Sequence, residues 1–107
     1  MKLLLLLLAP AIMFASERTV TMKVSGNCGS CKKRIVKAAE AVDGVKDAAW
    51  DKKTKVFTAV FDDGKTDSAS IAAAIVKVGH DVEASKAPDA AYTKLPDCCQ
   101  YRDRTHD

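Results

Sequence analysis

The stretch TVTMKVSGNCGSCKKRIVKAAEAV, residues 19–42, decides the fold, because an apolar pattern of period two gives way there to one of helical period. Val20, Met22 and Val24 face one way while Thr19, Thr21 and Lys23 face the other, which predicts a half-buried strand over residues 18–24. Ser25-Gly26-Asn27-Cys28-Gly29-Ser30 is turn chemistry. Beyond it Ile35, Ala38, Ala39 and Val42 recur at helical spacing, so a helix runs from about Ser30 to Ala41 and stops at Asp43-Gly44. Cys28 and Cys31 therefore sit where a loop enters a helix, and that spacing turns both sulfurs toward one point.

Downstream the two periodicities alternate. A second strand runs from Val45 to about Trp50 with Ala48 and Trp50 on one face, and Asp51 to Thr54 is a polar turn. The third strand, Lys55 to Phe61, sets Phe57, Ala59 and Phe61 against Val56, Thr58 and Val60, and aromatic size makes the phenylalanine face the core. Asp62-Asp63-Gly64 ends it as a turn, not as a catalytic carboxylate pair, since neighbours at a strand end point opposite ways. Thr66, Asp67 or Ser68 caps a second helix carrying Ile71, Ile75 and Val78, with Gly79 as its stop and His80 to about Ser85 as a fourth strand. This order predicts an α+β fold, a ferredoxin-like βαββαβ sandwich whose four-stranded antiparallel sheet carries two helices on one face. Residues 18–85 make up that unit; residues 86–107, with Pro88, Pro96 and several charges, read as a linker and tail bearing a cysteine pair.

Ahead of the unit, residues 1–16 hold one basic residue (Lys2), an apolar run from Leu3 to Phe14, and the small residues Ala15 and Ser16, the parts of a cleaved signal peptide. The run is shorter than the roughly 17 to 25 residues of a spanning helix, so a periplasmic or secreted protein is expected, with an uncleaved membrane anchor as the alternative. The 107 residues fit one domain with a modest core, and 48% hydrophobic with 29% charged residues is ordinary for a folded chain. Net charge is +3, falling to +2 when Lys2 is removed, and the basic residues are dispersed, so nothing argues for a nucleic-acid partner and none is expected. Lys32-Lys33-Arg34 is either a solvated helix face or a docking patch for an acidic surface. No phosphate-cradling glycine loop and no serine nucleophile elbow occurs, so no enzyme is expected.

Four cysteines form two close pairs, Cys28 with Cys31 and Cys98 with Cys99. Disulfides are the default in an oxidising compartment, yet neither pair closes a loop long enough to staple a fold. A helix N-terminus favours the thiolate at the first pair, and Lys32 and Lys33 push the same way. Thiolates select Cu(I) and other soft ions, and two sulfurs suffice for near-linear coordination, whereas structural zinc wants four ligands. Three readings compete: a carrier or scavenger of a soft ion, a thiol–disulfide redox module, and a non-catalytic interaction module whose cysteines merely oxidise. No tryptophan or proline flanks Cys28 or Cys31, which weighs against the second.

Residues 20–24, GNCGSC at 26–31, VDGV at 42–45, VFTAVFDDGKTD at 56–67 and IAAAIVKVGHDV at 71–82 together resemble the heavy-metal-associated domain, over about residues 18–85. The resemblance implies that Cys28 and Cys31 are the metal ligands and that the cargo is Cu(I) or Hg(II), with Zn(II) also tolerated by the thiol pair. It also implies transfer to a membrane metal transporter or efflux component by a monomer or a metal-bridged dimer. Export and the run FDDGKT lean toward the family's periplasmic mercuric-ion binders over its copper metallochaperones.

Two positions depart from the family pattern. Gly26-Asn27 stands where a methionine usually packs the loop onto the core, and His80 stands where an aromatic residue or lysine is common. His80 is either a ligand or a neighbour of the ligands, or a surface histidine following Gly79. Cys98 and Cys99 have no counterpart in the minimal domain. They form a vicinal disulfide, a second soft-metal site with His106, two free thiols, or part of a tail packed through Tyr92, Leu95 and Tyr101.

Overall fold

In the computed structural model, β3 (Val56–Asp62) is the central strand, and its side chains explain why. Phe57, Ala59 and Phe61 are buried while the intervening residues are half-buried, as a strand flanked on both edges requires. β1 (Glu17–Lys23) and β2 (Val45–Trp50) pair with it antiparallel, giving the order β1-β3-β2. The register sets Met22 and Trp50 on either side of Phe57, and Val20 and Ala48 on either side of Ala59. Directly paired residues share a face, so Met22, Phe57 and Trp50 form a row of bulky side chains at the end of the sheet where β1 leaves for the cysteine loop.

The structure describes residues 16–83 and 85–102. The expected signal peptide and His106 lie outside the described residues, Ser16 excepted. No helix among the described residues is long and apolar enough to cross a membrane.

α1 (Gly29–Glu40) buries Cys31, Ile35 and Ala39, one residue per turn, and α2 (Ser68–Lys77) buries Ile71 and Ile75. Of the three residues expected to cap α2, Asp67 does so, accepting the Ser70 N–H at 2.8 Å. One cluster joins these side chains to Phe57, Ala59 and Phe61. Each fully buried aliphatic or aromatic side chain in it stabilises the fold by about 1.5–3 kcal/mol.

The fourth strand is not formed among the described residues. Its place beside β1 is held by a single bridge, Val24 with Val82, flanked by hydrogen bonds from Ser25 N–H to the Asp81 carbonyl and from Glu83 N–H to the Lys23 carbonyl, both 2.9 Å. Two causes end the ladder. Glu83 takes a left-handed backbone (φ 47°), and Val82 then pairs back on Ser85 in a tight turn. The Asp81 N–H, which would continue the ladder to Ser25, is instead taken by the Tyr101 hydroxyl at 2.8 Å.

Residues 86–102 are no loose linker. α3 (Asp89–Tyr92) and a 3-10 turn (Asp97–Cys99) fold back so that Tyr92, Leu95 and Cys99 join the core cluster. Gly79 makes the close approach workable: at φ 106° it ends α2, and a Cβ there would stand 3.0 Å from the Ala91 carbonyl and 3.1 Å from Leu95. The physical driver is apolar burial by Ala87, Tyr92 and Leu95, which charge-rich neighbours mask in the sequence.

Candidate metal centre

Cys28 is the N-cap of α1, with extended backbone (φ −146°, ψ −176°), and its carbonyl accepts the Lys32 N–H at 3.0 Å. Cys31 lies one turn on, fully buried beneath it, and the two sulfurs are 3.5 Å apart. The loop that presents them is tied down at several points. Trp50 Nε1 donates to the Val24 carbonyl at 3.0 Å, Lys55 Nζ donates to the Gly26 carbonyl at 2.6 Å, and the Asn27 N–H donates to Cys31 Sγ at 3.3 Å. Gly26 is packed so closely that a Cβ would stand 3.0 Å from the Trp50 ring and 3.1 Å from Cys31 Cβ. Trp50 thus does the packing that a methionine would do in the pattern the sequence resembles.

The C-terminal pair comes to the same place. Cys28 Sγ is 3.3 Å from Cys98 Sγ and 3.7 Å from Cys99 Sγ, and the sulfurs of Cys28, Cys98 and Cys99 all lie within 4.8 Å of one another. All four cysteines are free thiols. Cys31 and Cys99 are buried, Cys28 is half-buried and Cys98 is exposed, so the cluster has an inner and an outer edge. Arg34, read from sequence as part of a solvated or docking face, extends Nη1 to 3.9 Å from Cys99 Sγ.

His80 is not on the surface: it is fully buried. Its Nδ1 stands 2.7 Å from the Ser25 carbonyl and so carries the proton, its ring stacks on Tyr101 at 5.5 Å, and Nε2 is buried with no hydrogen-bond partner. It lies outside the group of sulfurs that converge within 4.8 Å. Burial pushes its pKa below the usual 6.5, and the Arg34 charge adds to this against the pull of the Ser25 carbonyl.

Electrostatics divides the thiols. Burial alone raises the Cys28 pKa, but the Cys31 N–H and the thiols of Cys98, Cys31 and Cys99 favour its anion more, and the net value falls to about 6. Burial pushes the Cys99 thiol strongly up, and its neighbours Cys31 and Cys28 add to the effect. One sulfur is thus an anion at neutral pH, beside another that burial keeps protonated.

Sequence reasoning found the four cysteines and His80, and Tyr101 as a residue packing the tail, but not the others that assemble them: Gly26, Lys55 and Trp50 under the loop and Arg102 behind the tail. The lone tryptophan at a strand end was the one available cue.

No protein-family model matches the chain. The chain is 36% identical over 67 residues to the mercuric transport protein periplasmic component of Shewanella putrefaciens, covering 62% of this chain and 74% of that protein. Among solved structures it is similar to the CopZ metallochaperone, at TM-score 0.59 and 29% identity over 61% of this chain and 98% of that one. It is also similar to the water-soluble region of the P-type ATPase CopA from Bacillus subtilis, at TM-score 0.60 and 32% identity over 65% of this chain and 47% of that one.

Proposed function

Because the chain belongs to the heavy-metal-associated domain family, a family of metal-binding carriers and transport components, we propose that it is an exported carrier or scavenger of a soft ion, Cu(I) or Hg(II), held by Cys28 and Cys31 and passed to a membrane transporter. The observation that carries this is the pair of sulfurs 3.5 Å apart at the start of α1, one already an anion at neutral pH and open to solvent. Thiolates supply polarisable donors that oxygen or nitrogen ligands do not, which is why soft ions are the cargo. Release needs no catalysis: a thiolate of the partner would add to the ion at the exposed edge as Cys28 leaves, and the partner's second thiolate would bind as Cys31 leaves, so that each bond broken is matched by one formed. A periplasmic location is the reading that the apolar run of residues 3–14 and the mercuric transport relative support, and it is tested by the N-terminus of the protein recovered from its host.

Titration of the reduced protein with Hg(II) or Cu(I) against a competing chelator tests the reading. Stoichiometric uptake by the native chain and its loss in Cys28→Ser and in Cys31→Ser are expected; a native chain that takes up neither ion sinks the proposal. A thiol–disulfide redox module is the competing reading, since a thiol of low pKa serves that chemistry too. It predicts catalysis of disulfide exchange by the metal-free protein, at a rate unaffected by a chelator.

A further inference from the structure

The minimal two-sulfur site is here continued by a built segment. From α3 onward the chain is fixed to the domain by more than apolar contact: the Tyr101 hydroxyl donates to the Gly79 carbonyl at 2.8 Å while accepting the Asp81 N–H. Arg102 pairs with Asp81 at 2.8 Å and Asp89 at 3.1 Å and lies 4.4 Å over the Tyr92 ring. These contacts set the 3-10 turn Asp97–Cys99 against α1, and that turn carries the two additional sulfurs to Cys28.

The sulfur separations are informative. With metal–sulfur bonds of about 2.3 Å, a linear pair spans about 4.6 Å, a trigonal set about 4.0 Å and a tetrahedral set about 3.8 Å. The observed separations from Cys28, 3.3 to 3.7 Å, are near the last two and well short of the first. Little movement turns Cys28, Cys98 and Cys99 into a three-thiolate cage, while Cys31, close to Cys28, is not one of the mutually converging three, and a two-coordinate ion would have to drive Cys28 and Cys31 apart.

Resting on the carrier reading above, we infer that Cys98 and Cys99 bind the same ion as Cys28, making a trigonal three-thiolate site for a divalent soft ion of the Cd(II), Hg(II) or Zn(II) class. Charge points to the same class. Each thiolate adds a negative charge to a largely enclosed space, a divalent ion offsets more of it than a monovalent one, and Arg34 stands beside Cys99 to offset part of the remainder. The exposed Cys98 and half-buried Cys28 form the side by which the ion enters and leaves.

Cd(II) added to the reduced, metal-free full chain tests this, with X-ray absorption counting sulfurs and chelator competition giving affinity. At least three sulfurs are expected in the native chain. Cys98→Ser, at an exposed position where folding is indifferent to the change, should remove one sulfur. Cys98→Ser combined with Cys99→Ser should lower Cd(II) affinity by more than about a hundredfold, beyond the roughly 10–100-fold that losing an outer hydrogen bond to a ligand costs. Two sulfurs in the native chain, or a count and affinity unchanged in both variants, overturn the inference while leaving the Cys28–Cys31 carrier intact, provided Hg(II) is still bound. A native chain that binds neither Cd(II) nor Hg(II) overturns both. Circular dichroism of each variant separates lost ligands from a lost fold.

Discussion

Arg102 Nη2 lies 2.8 Å from Asp81 Oδ1, with side chains only 23% and 15% exposed, and this contact fastens the last described residue of the chain to the remnant strand beside β1. The arginine holds the Asp81 carboxyl below its usual range despite the opposing effect of burial, and the same carboxylate oxygen accepts the Ala87 N–H at 2.7 Å. One ion pair thus joins both ends of the segment that bears Cys98 and Cys99.

Arg102→Ala removes one partner of a mostly buried pair together with a cation over Tyr92, and is expected to cost about 1–3 kcal/mol, between a surface pair and a fully buried one. Hydrogen exchange should quicken at residues 97–101 far more than at β3. Uniform quickening over the whole chain would show that the tail does not open separately from the core.

Gly26→Ala tests whether the metal loop has room to adjust. The added methyl meets the Trp50 ring at 3.0 Å and Cys31 Cβ at 3.1 Å, and Trp50 is itself fixed by its bond to the Val24 carbonyl, so the loop must move. Overpacking of this kind costs about 1–3 kcal/mol. Weakened binding of Hg(II) should accompany the lower denaturation midpoint. An unchanged midpoint and affinity would mean that the loop is not pinned by Trp50.

Much of this was legible in the sequence, and what was not shares one cause. β1, α1, β2, β3 and α2 follow local periodicities, and the burial of Phe57, Ala59 and Phe61 follows from alternation plus aromatic size. The failure of the fourth strand depends on partners far along the chain: Tyr101 takes the Asp81 N–H, and nothing near Asp81 announces that. Likewise each cysteine pair was visible, but their convergence across 70 residues was not, because it rests on the docking of Tyr92, Leu95 and Arg102.

The thiol of Cys28 should alkylate with a pH midpoint of about 6 in the reduced, metal-free protein, against a value near 9 for an ordinary thiol. A depressed folded-state pKa adds stability that is present above the unfolded value and lost as pH falls toward the folded one, so the Cys28 contribution should fade as pH falls from about 9 to about 6. Mass mapping of iodoacetamide adducts across pH reads the midpoint directly. A Cys28 profile with an ordinary thiol midpoint removes the electrostatic account of the site.

His80 gives a second acid-sensitive point. Its folded-state pKa lies below 6.5, so as pH drops the unfolded chain takes up the proton first, and stability declines once pH falls below about 6.5. The ring faces the Ser25 carbonyl through Nδ1 and stacks on Tyr101, while Nε2 has no partner to receive a new proton's hydrogen bond. His80→Phe keeps the stacking, gives up the bond to Ser25, and should stay within about 1.5 kcal/mol of the native protein at neutral pH. Its stability should then decline less on acidification than the native chain's, the contribution of Cys28 being common to both. His80→Ala, which empties a fully buried site, should cost about 2–4 kcal/mol at every pH. Denaturant midpoints measured across pH for the three proteins decide the matter: parallel curves for the native chain and His80→Phe mean that the imidazole is not a titrating element of the folded state.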